Sequence, residues 1–371
     1  IVTDISESRN ISIDSLNAIA NKLNARTPEL ALANNLIDKI AYEDEYHNAI
    51  KTKLKVSKNE DYNTVSILDY AKNNAKSVSD FTKKDIIAVI YAQGEIRGGE
   101  GEVNIIGEGS IKRSLKAARE DKNVKSIVIR VDSPGGSALT SELIWREIEL
   151  TKKIKPVVVS MGNVAASGGY YIACNANTIF AEQSTITGSI GVFGMLPNMS
   201  TLAKNIGINA EQVKTHDNAS GYSLFEPIDE NFKKFTLESI ETIYGTFLKR
   251  VAEGRNMTTT QVDSIAQGRV WTGNDALKLG LVDKIGGLED AIKHAATLGK
   301  TKSYQIENYP EYEQSFEDLL NNLTGISIFQ SKEALLREHL GEESYLLIQQ
   351  IKKANQLKGI QALMPFELRI N

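Results

Sequence analysis

The chain has 371 residues, is 41% hydrophobic and 24% charged, and carries a net charge of −4 at pH 7. That is the balance of a globular protein with room for two or three domains, without the basic surplus of a nucleic-acid binder. Cys174 is the only cysteine and the four histidines share no ligand spacing, which excludes an intrachain disulfide and argues against a metal site.

Residues 1–56 contain a segment that recurs. Arg9-Asn10 and Ile19-Ala20 return 246 positions later as Arg255-Asn256 and Ile265-Ala266. After a one-residue slip, Thr27, Ala31 and Leu36 through Ile40 match Thr272, Ala276 and Leu281 through Ile285. Both segments read as the same helix–strand unit. Thr27 before Pro28 predicts an N-cap with proline at the first helical position, and Thr272 with Asp275 approaches a capping box. Each helix is followed by a short apolar strand signal. The second segment is preceded by residues 85–246, and the first has no such body within the chain. Residues 1–56 are therefore expected to be the tail of a first repeat copy whose body is missing here.

Residues 57–84 are polar and suit a linker with some helix. Residues 85–300 alternate strand and helix patterns. Strands are predicted over 86–92, 124–131 and 156–161, and the last two are near-continuous apolar runs, as in strands buried on both faces. Helices are predicted over 111–118, with Ile111, Leu115 and Ala118 on one face, and over 137–152, with Leu139, Leu143 and Ile148 inward. Strand–helix–strand order predicts an α/β fold of packed parallel sheets. Residues 301–371 are expected to form a mostly helical tail, with the strongest pattern over 332–356. No apolar run is long enough to span a bilayer.

Three glycine-rich turns follow predicted strands: Asp132-Ser133-Pro134-Gly135-Gly136-Ser137, Ala165-Ala166-Ser167-Gly168-Gly169, and Thr187-Gly188-Ser189-Ile190-Gly191-Val192-Phe193-Gly194. Small neighbours would let a peptide backbone approach the Ser167 hydroxyl. A helix starting at Gly168 would favour negative charge developing beside it. A strand-to-helix turn with two glycines can aim backbone N–H groups at an oxyanion. Taken singly, Ser167 also reads as a helix cap, Asp132 as a turn stabiliser and the glycines as an ordinary βα turn. Phosphate binding is disfavoured, because no Walker-type Lys-Ser or Lys-Thr follows.

In order and spacing, DSPGGS, VVVSMGNVAASGGYYIA and TITGSIGVFG resemble the signal peptide peptidase A (protease IV) family of the ClpP/crotonase-like fold. RVWTGNDALKLGLVDKIGGLEDAI resembles that family's distal segment. The resemblance is strong over 85–300 and weakens over the tail. It implies a membrane-associated bacterial serine peptidase, working at the outer (periplasmic) side of the inner membrane on hydrophobic peptides such as released signal peptides. It maps the nucleophile onto Ser167 and the oxyanion donors onto Gly135, Gly136 and Gly168. It implies no metal and no cofactor, and a homo-oligomer as the working form. Tyr170, Tyr171, Ile190, Val192, Phe193 and Met195 would line an apolar substrate groove, although each also reads as core.

The general base in this family is a lysine whose amine is kept neutral by desolvation. Single-copy members carry it in the same copy, but here Tyr222 stands at that position. The sequence instead fits the duplicated form, in which a missing first-copy domain supplies the lysine from a position upstream of Ile1. Lys214 and His216 are nearby substitutes that read more simply as loop residues. Rival readings are a crotonase-type acyl-CoA enzyme, whose carboxylates and adenine pocket are not evident, and a non-catalytic scaffold fragment.

Overall fold

The computed structural model describes residues 1–22, 24–57, 60, 62–65, 70, 84–211, 213, 222–310 and 361–363. Two compact units meet in sequence between Ser77 and Val78. The predicted helix over 332–356 and most of the 57–84 segment lie outside the described residues.

The first unit holds four short helices: α1 (Val2–Arg9), α2 (Ile13–Asn21), α3 (Pro28–Ala33) and α4 (Glu43–Leu54). Ser12 caps α2, and Thr27 caps α3 by accepting the Leu30 N–H, with Pro28 in the first turn. Asn10 ends α1 in the left-handed conformation, at φ 54°. Arg9 donates from Nε to the Asn35 carbonyl at 2.8 Å and from Nη1 to Asp38 Oδ2 at 3.0 Å.

The second unit runs β1 (Asp85–Gln93), β2 (Glu95–Arg97), β3 (Ile105–Gly107), α5 (Glu108–Glu120), β4 (Val124–Ser133), β5 (Gly135–Ser137), α6 (Ala138–Lys152), β6 (Val157–Ala166) and α7 (Gly168–Ala173). It continues with β7 (Thr178–Ala181), β8 (Ile186–Gly188), α8 (Ser200–Asn205), α9 (Glu230–Arg255), α10 (Thr259–Ile265), β9 (Val270–Thr272), α11 (Gly273–Lys278) and β10 (Lys284–Ile285). Last come α12 (Leu288–Leu298), β11 (Tyr304–Tyr309) and β12 (Gln361–Leu363).

The main sheet has the order β10-β7-β6-β4-β1-β11, all parallel, with β8 beside the C-terminal half of β6 and β9 antiparallel to β8. Its central strands are buried on both faces, which is why they read as apolar runs. Alternate residues divide between two cores. Ile86, Ala88, Ile90, Ile127, Ile129, Val157 and Val159 face the larger one, where Ile111, Leu115, Ile144, Ile148 and Phe247 pack. Ile87, Val89, Val128 and Val158 face the smaller one, covered by Ala291, Ile292, Ala295 and Ala296 of α12. A smaller sheet has the order β12-β5-β2-β3. This is the packed parallel α/β arrangement that the strand–helix–strand order predicts.

The second unit repeats the hydrogen bonds of the first. Asn256 ends α9 at φ 53°, and Thr258 and Thr272 cap α10 and α11. Arg255 donates from Nε to the Gly280 carbonyl at 2.9 Å and from Nη1 to Asp283 Oδ2 at 3.0 Å. Asn35 and Gly280, whose carbonyls are the matching acceptors of the two segments, both have positive φ, 57° and 75°. The repeat is thus a repeat of local geometry as well as of letters.

Three sequence expectations are corrected. On α6, Leu139 is 70% exposed and Leu143 is at the surface, while the buried stripe is Ser141, Ile144, Trp145, Ile148 and Thr151. The Ser137 cap sets that phase, and the Ser141 hydroxyl is satisfied by the Ser137 carbonyl at 2.9 Å, so burying it costs little. The apolar stretch at 36–40 forms turns rather than a strand, whereas its counterpart β10 pairs with Phe180 and Ala181. A two-residue strand exists only through its neighbour, and the described residues of the first unit contain no sheet. Finally, the main sheet does not stop at residue 300: β11 lies parallel to β1 over six residue pairs and covers an otherwise open edge.

Candidate active site

The three glycine-rich turns meet at the C-terminal ends of β4 and β6, the end at which open parallel sheets place their sites. β6 runs straight into Ser167, and α7 begins at the next residue. Ser167 has φ 54° and ψ −116°, a conformation that costs a non-glycine residue about 1–3 kcal/mol. Its N–H donates to the Gly188 carbonyl at 2.8 Å, which pins the turn to the strand β8. Ser167 occupies the N-cap position of α7, yet its side chain makes no capping bond; Oγ instead reaches the Gly191 carbonyl at 3.5 Å. A serine kept for capping would accept an N–H from the first turn. This hydroxyl is held at the start of a helix without doing that work.

The Ser133-Gly135 turn lies against the same helix. Gly169 is so close to Ser133 that a Cβ there would stand 2.6 Å from the Ser133 carbonyl oxygen. Gly136 has φ 155°, and a Cβ on it would meet the Ile96 carbonyl oxygen at 2.0 Å. Of the three expected oxyanion donors, the Gly135 N–H is already given to Ser133 Oγ at 3.1 Å. Gly168 is the first residue of α7, so its N–H has no intrahelical acceptor, whereas Gly136 is paired with Ile96 and with Ala362 in the smaller sheet. Asp132 is a turn stabiliser: its Oδ1 accepts the Val164 N–H at 3.1 Å across the register shift between β4 and β6.

The expected groove residues part company. Tyr170 and Tyr171 are core residues, with hydroxyls donated to the Leu281 carbonyl at 2.8 Å and to Glu142 Oε2 at 2.6 Å. Burial pushes both phenols well above their ordinary pKa. Ile190 is fully buried. Val192 and Phe193 do line a cavity of about 410 Å³, together with Ser189, Gly191, Ile240 and Tyr244. Gly191 joins the two places, since its carbonyl touches Ser167 Oγ and its backbone borders the cavity. Burial and the Asp263 carboxylate push the Tyr244 phenol up to about 12, so that phenol stays neutral, while Glu241 brings a carboxylate to the same lining.

Sequence reading missed the wall built by α9. A signal existed: Ile240, Tyr244, Phe247 and Val251 recur at helical spacing on one face. Gln267 and Gly268 complete the cavity through tertiary packing that no local pattern encodes.

Tyr222 donates its hydroxyl to the Pro197 carbonyl and stacks on Phe232 at 6.2 Å. Lys214 and His216 lie outside the described residues. Among the described residues no three His, Cys, Asp or Glu side chains are grouped to hold a metal ion. No described helix is long and apolar enough to cross a membrane.

Residues 149–302 match peptidase family S49. The chain is 37% identical to Protease 4 of Salmonella typhi over 301 residues, which cover 81% of this chain and 48% of that protein. It is 38% identical to a putative protease, slr0021, of Synechocystis over 205 residues, covering 54% of this chain and 74% of that one. The chain thus spans about half the length of the Salmonella relative and most of the Synechocystis one. Among solved structures, a 1510-N membrane-bound stomatin-specific protease superposes with a TM-score of 0.41 and 19% identity, covering 62% of this chain and 99% of that one.

Proposed function

We propose that this chain, which belongs to peptidase family S49, carries the nucleophile half of a serine–lysine peptidase site. The observation that carries the reading is the Ser167 hydroxyl, which makes no capping bond on a strained turn just before Gly168, in a helix packed through Gly169 against the Ser133 turn. In this reading Ser167 Oγ attacks the carbonyl carbon of an extended peptide. Its proton passes to a neutral lysine amine, and the carbonyl π electrons move onto oxygen, where the Gly168 N–H and an N–H of the Gly135-Gly136 turn hold the charge. Collapse expels the amine product, which takes the proton back from the lysine, and water then hydrolyses the acyl-enzyme.

The recorded contact of Ser167 Oγ is the Gly191 carbonyl, and a carbonyl cannot serve as the base. The position expected for a same-copy lysine is Tyr222, whose hydroxyl is engaged by Pro197. We therefore assign the base to a first repeat copy whose distal segment is residues 1–56. The apolar cavity at Val192 and Phe193 suits hydrophobic side chains, in keeping with released signal peptides as substrates at the outer side of the bacterial inner membrane. A homo-oligomer is the proposed working form.

The test is fluorophosphonate labelling and peptidase assay of this chain beside one preceded by a full first copy. The longer chain should label and cleave, and Ser167→Ala should abolish both. Full activity in residues 1–371 alone would refute the assignment of the base to the first copy. Labelling that survives Ser167→Ala would refute the nucleophile.

A further inference from the structure

The strand β5 consists of Gly135, Gly136 and Ser137, and so contains both glycines of the candidate oxyanion turn. One of its sides is paired in parallel with β2, through Gly136 and Ile96. Its other side is paired antiparallel with β12: Gln361 lies opposite Ser137, Ala362 opposite Gly136, and Leu363 opposite Gly135. β12 has no other neighbour in this sheet, so without it β5 would be an open edge.

An open edge beside an oxyanion turn is where an extended peptide adds as a strand, its main chain hydrogen-bonded and its scissile carbonyl set beside the donors. The same three residues of β5 cannot pair with a substrate strand and with β12 on one side at once. Ser167, Gly135, Gly136 and Gly168 are moreover all buried in the structure that carries β12. The geometry points to residues 361–363 as an intramolecular ligand of the peptide-binding edge, which a substrate must displace. This inference rests on the peptidase reading for what the edge binds, but the pairing itself does not depend on Ser167.

A tethered segment competes through an effective concentration near the millimolar range. Releasing it should therefore strengthen the binding of an added peptide at the same edge. The test uses the full chain and its double variant Gln361→Pro/Ala362→Pro. Successive strand amides point to opposite sides, so one of the two prolines removes a ladder donor facing β5 whatever the phase.

Two measurements are read. Hydrogen exchange over residues 133–138 should speed up by about tenfold or more in the variant, as expected for lost ladder bonds. A fluorescein-labelled synthetic peptide of residues 357–367 should bind the variant about tenfold more tightly than the parent chain, as removal of a tethered competitor requires. Exchange and peptide affinity both unchanged would overturn the inference. Protection of 133–138 that disappears on dilution would overturn its intramolecular form and assign the pairing to a second copy. Fluorophosphonate labelling of the same two samples keeps the outcomes distinct: loss of labelling bears on Ser167, whereas exchange and peptide binding bear on β12.

Discussion

Tyr171 donates its hydroxyl to Glu142 Oε2 at 2.6 Å, tying the helix that starts after Ser167 to the helix that starts after Ser137. Glu142 is also gripped by Arg250 of α9, at 2.6 Å and 3.2 Å, and that guanidinium lies 3.8 Å from the Trp145 ring centroid. Three helices therefore converge on one carboxylate. Tyr171→Phe keeps the ring against Phe247 and removes only the hydroxyl. Urea unfolding should show a loss of about 1.5–3 kcal/mol, the worth of a hydrogen bond to a charged group. Glu142→Ala should cost more, because it strands a buried phenol and a half-buried guanidinium together.

Gly169→Ala tests the contact between the two turns. The new methyl would sit 2.6 Å from the Ser133 carbonyl, and because that atom is backbone the turn itself must move. The expected outcome is a folded protein with lower stability and at least a tenfold slower reaction of Ser167 with a fluorophosphonate, in line with the sensitivity of catalysis to small displacements. Gly136→Ala is more severe, with a contact of 2.0 Å to the Ile96 carbonyl and φ 155°, and should reduce soluble yield. Normal labelling rates in Gly169→Ala would show that the turns do not depend on each other.

The parallel core was legible because its physics is local. Ile86 through Ile90 and Ile127 through Ile129 are apolar on both faces, a pattern that suits a doubly covered parallel strand. The turn at Ser167 was legible only through the order and spacing of the three glycine-rich stretches, since Ser167 taken singly also reads as a helix cap. The phase of α6 was not, since Leu139 and Leu143 are as apolar as Ile144 and Ile148, and only the Ser137 cap chooses between the stripes. Tyr170 and Tyr171 misled for a related reason: an aromatic beside a nucleophile suggests a groove, but their hydroxyls find partners at Leu281 and Glu142, far away in sequence. The pairing of β12 with β5 joins residues more than two hundred positions apart and leaves no periodic trace.

The duplicated arginine clamps give a matched pair of substitutions. In the second unit the Arg255 side chain is 7% exposed against Asp283, while in the first the Arg9 side chain is 25% exposed against an Asp38 side chain that is 86% exposed. Removing one partner of a buried pair leaves an uncompensated charge and costs about 3–5 kcal/mol, whereas an exposed pair is worth about 0–1 kcal/mol. Asp283 keeps some solvent, so Arg255→Ala should fall at the lower end of the buried range. It also frees the Gly280 carbonyl that Arg255 caps. Arg9→Ala should shift the denaturation midpoint little. Equal costs at the two sites would mean that burial is not what separates the two copies of the clamp.

Cys174 provides a probe of the helix that carries Ser167. Its thiol is fully buried just past the end of α7 and donates to the Tyr171 carbonyl at 3.2 Å. Burial pushes its pKa up to about 12, so the native thiol stays protonated where an unfolded one, near 9, ionises. A raised folded pKa gives stability that is complete below the unfolded value and is lost as pH rises through the interval from about 9 to about 12. A disulfide reagent at pH 8 should accordingly react with Cys174 only as fast as the α7 region opens, and immediately in denaturant. Tyr171→Phe and Gly169→Ala should each accelerate that reaction if they loosen this helix. Rapid modification of the unperturbed chain at pH 8 would instead show that the helix behind Ser167 opens freely, and the rigid positioning argued for that serine would fail with it.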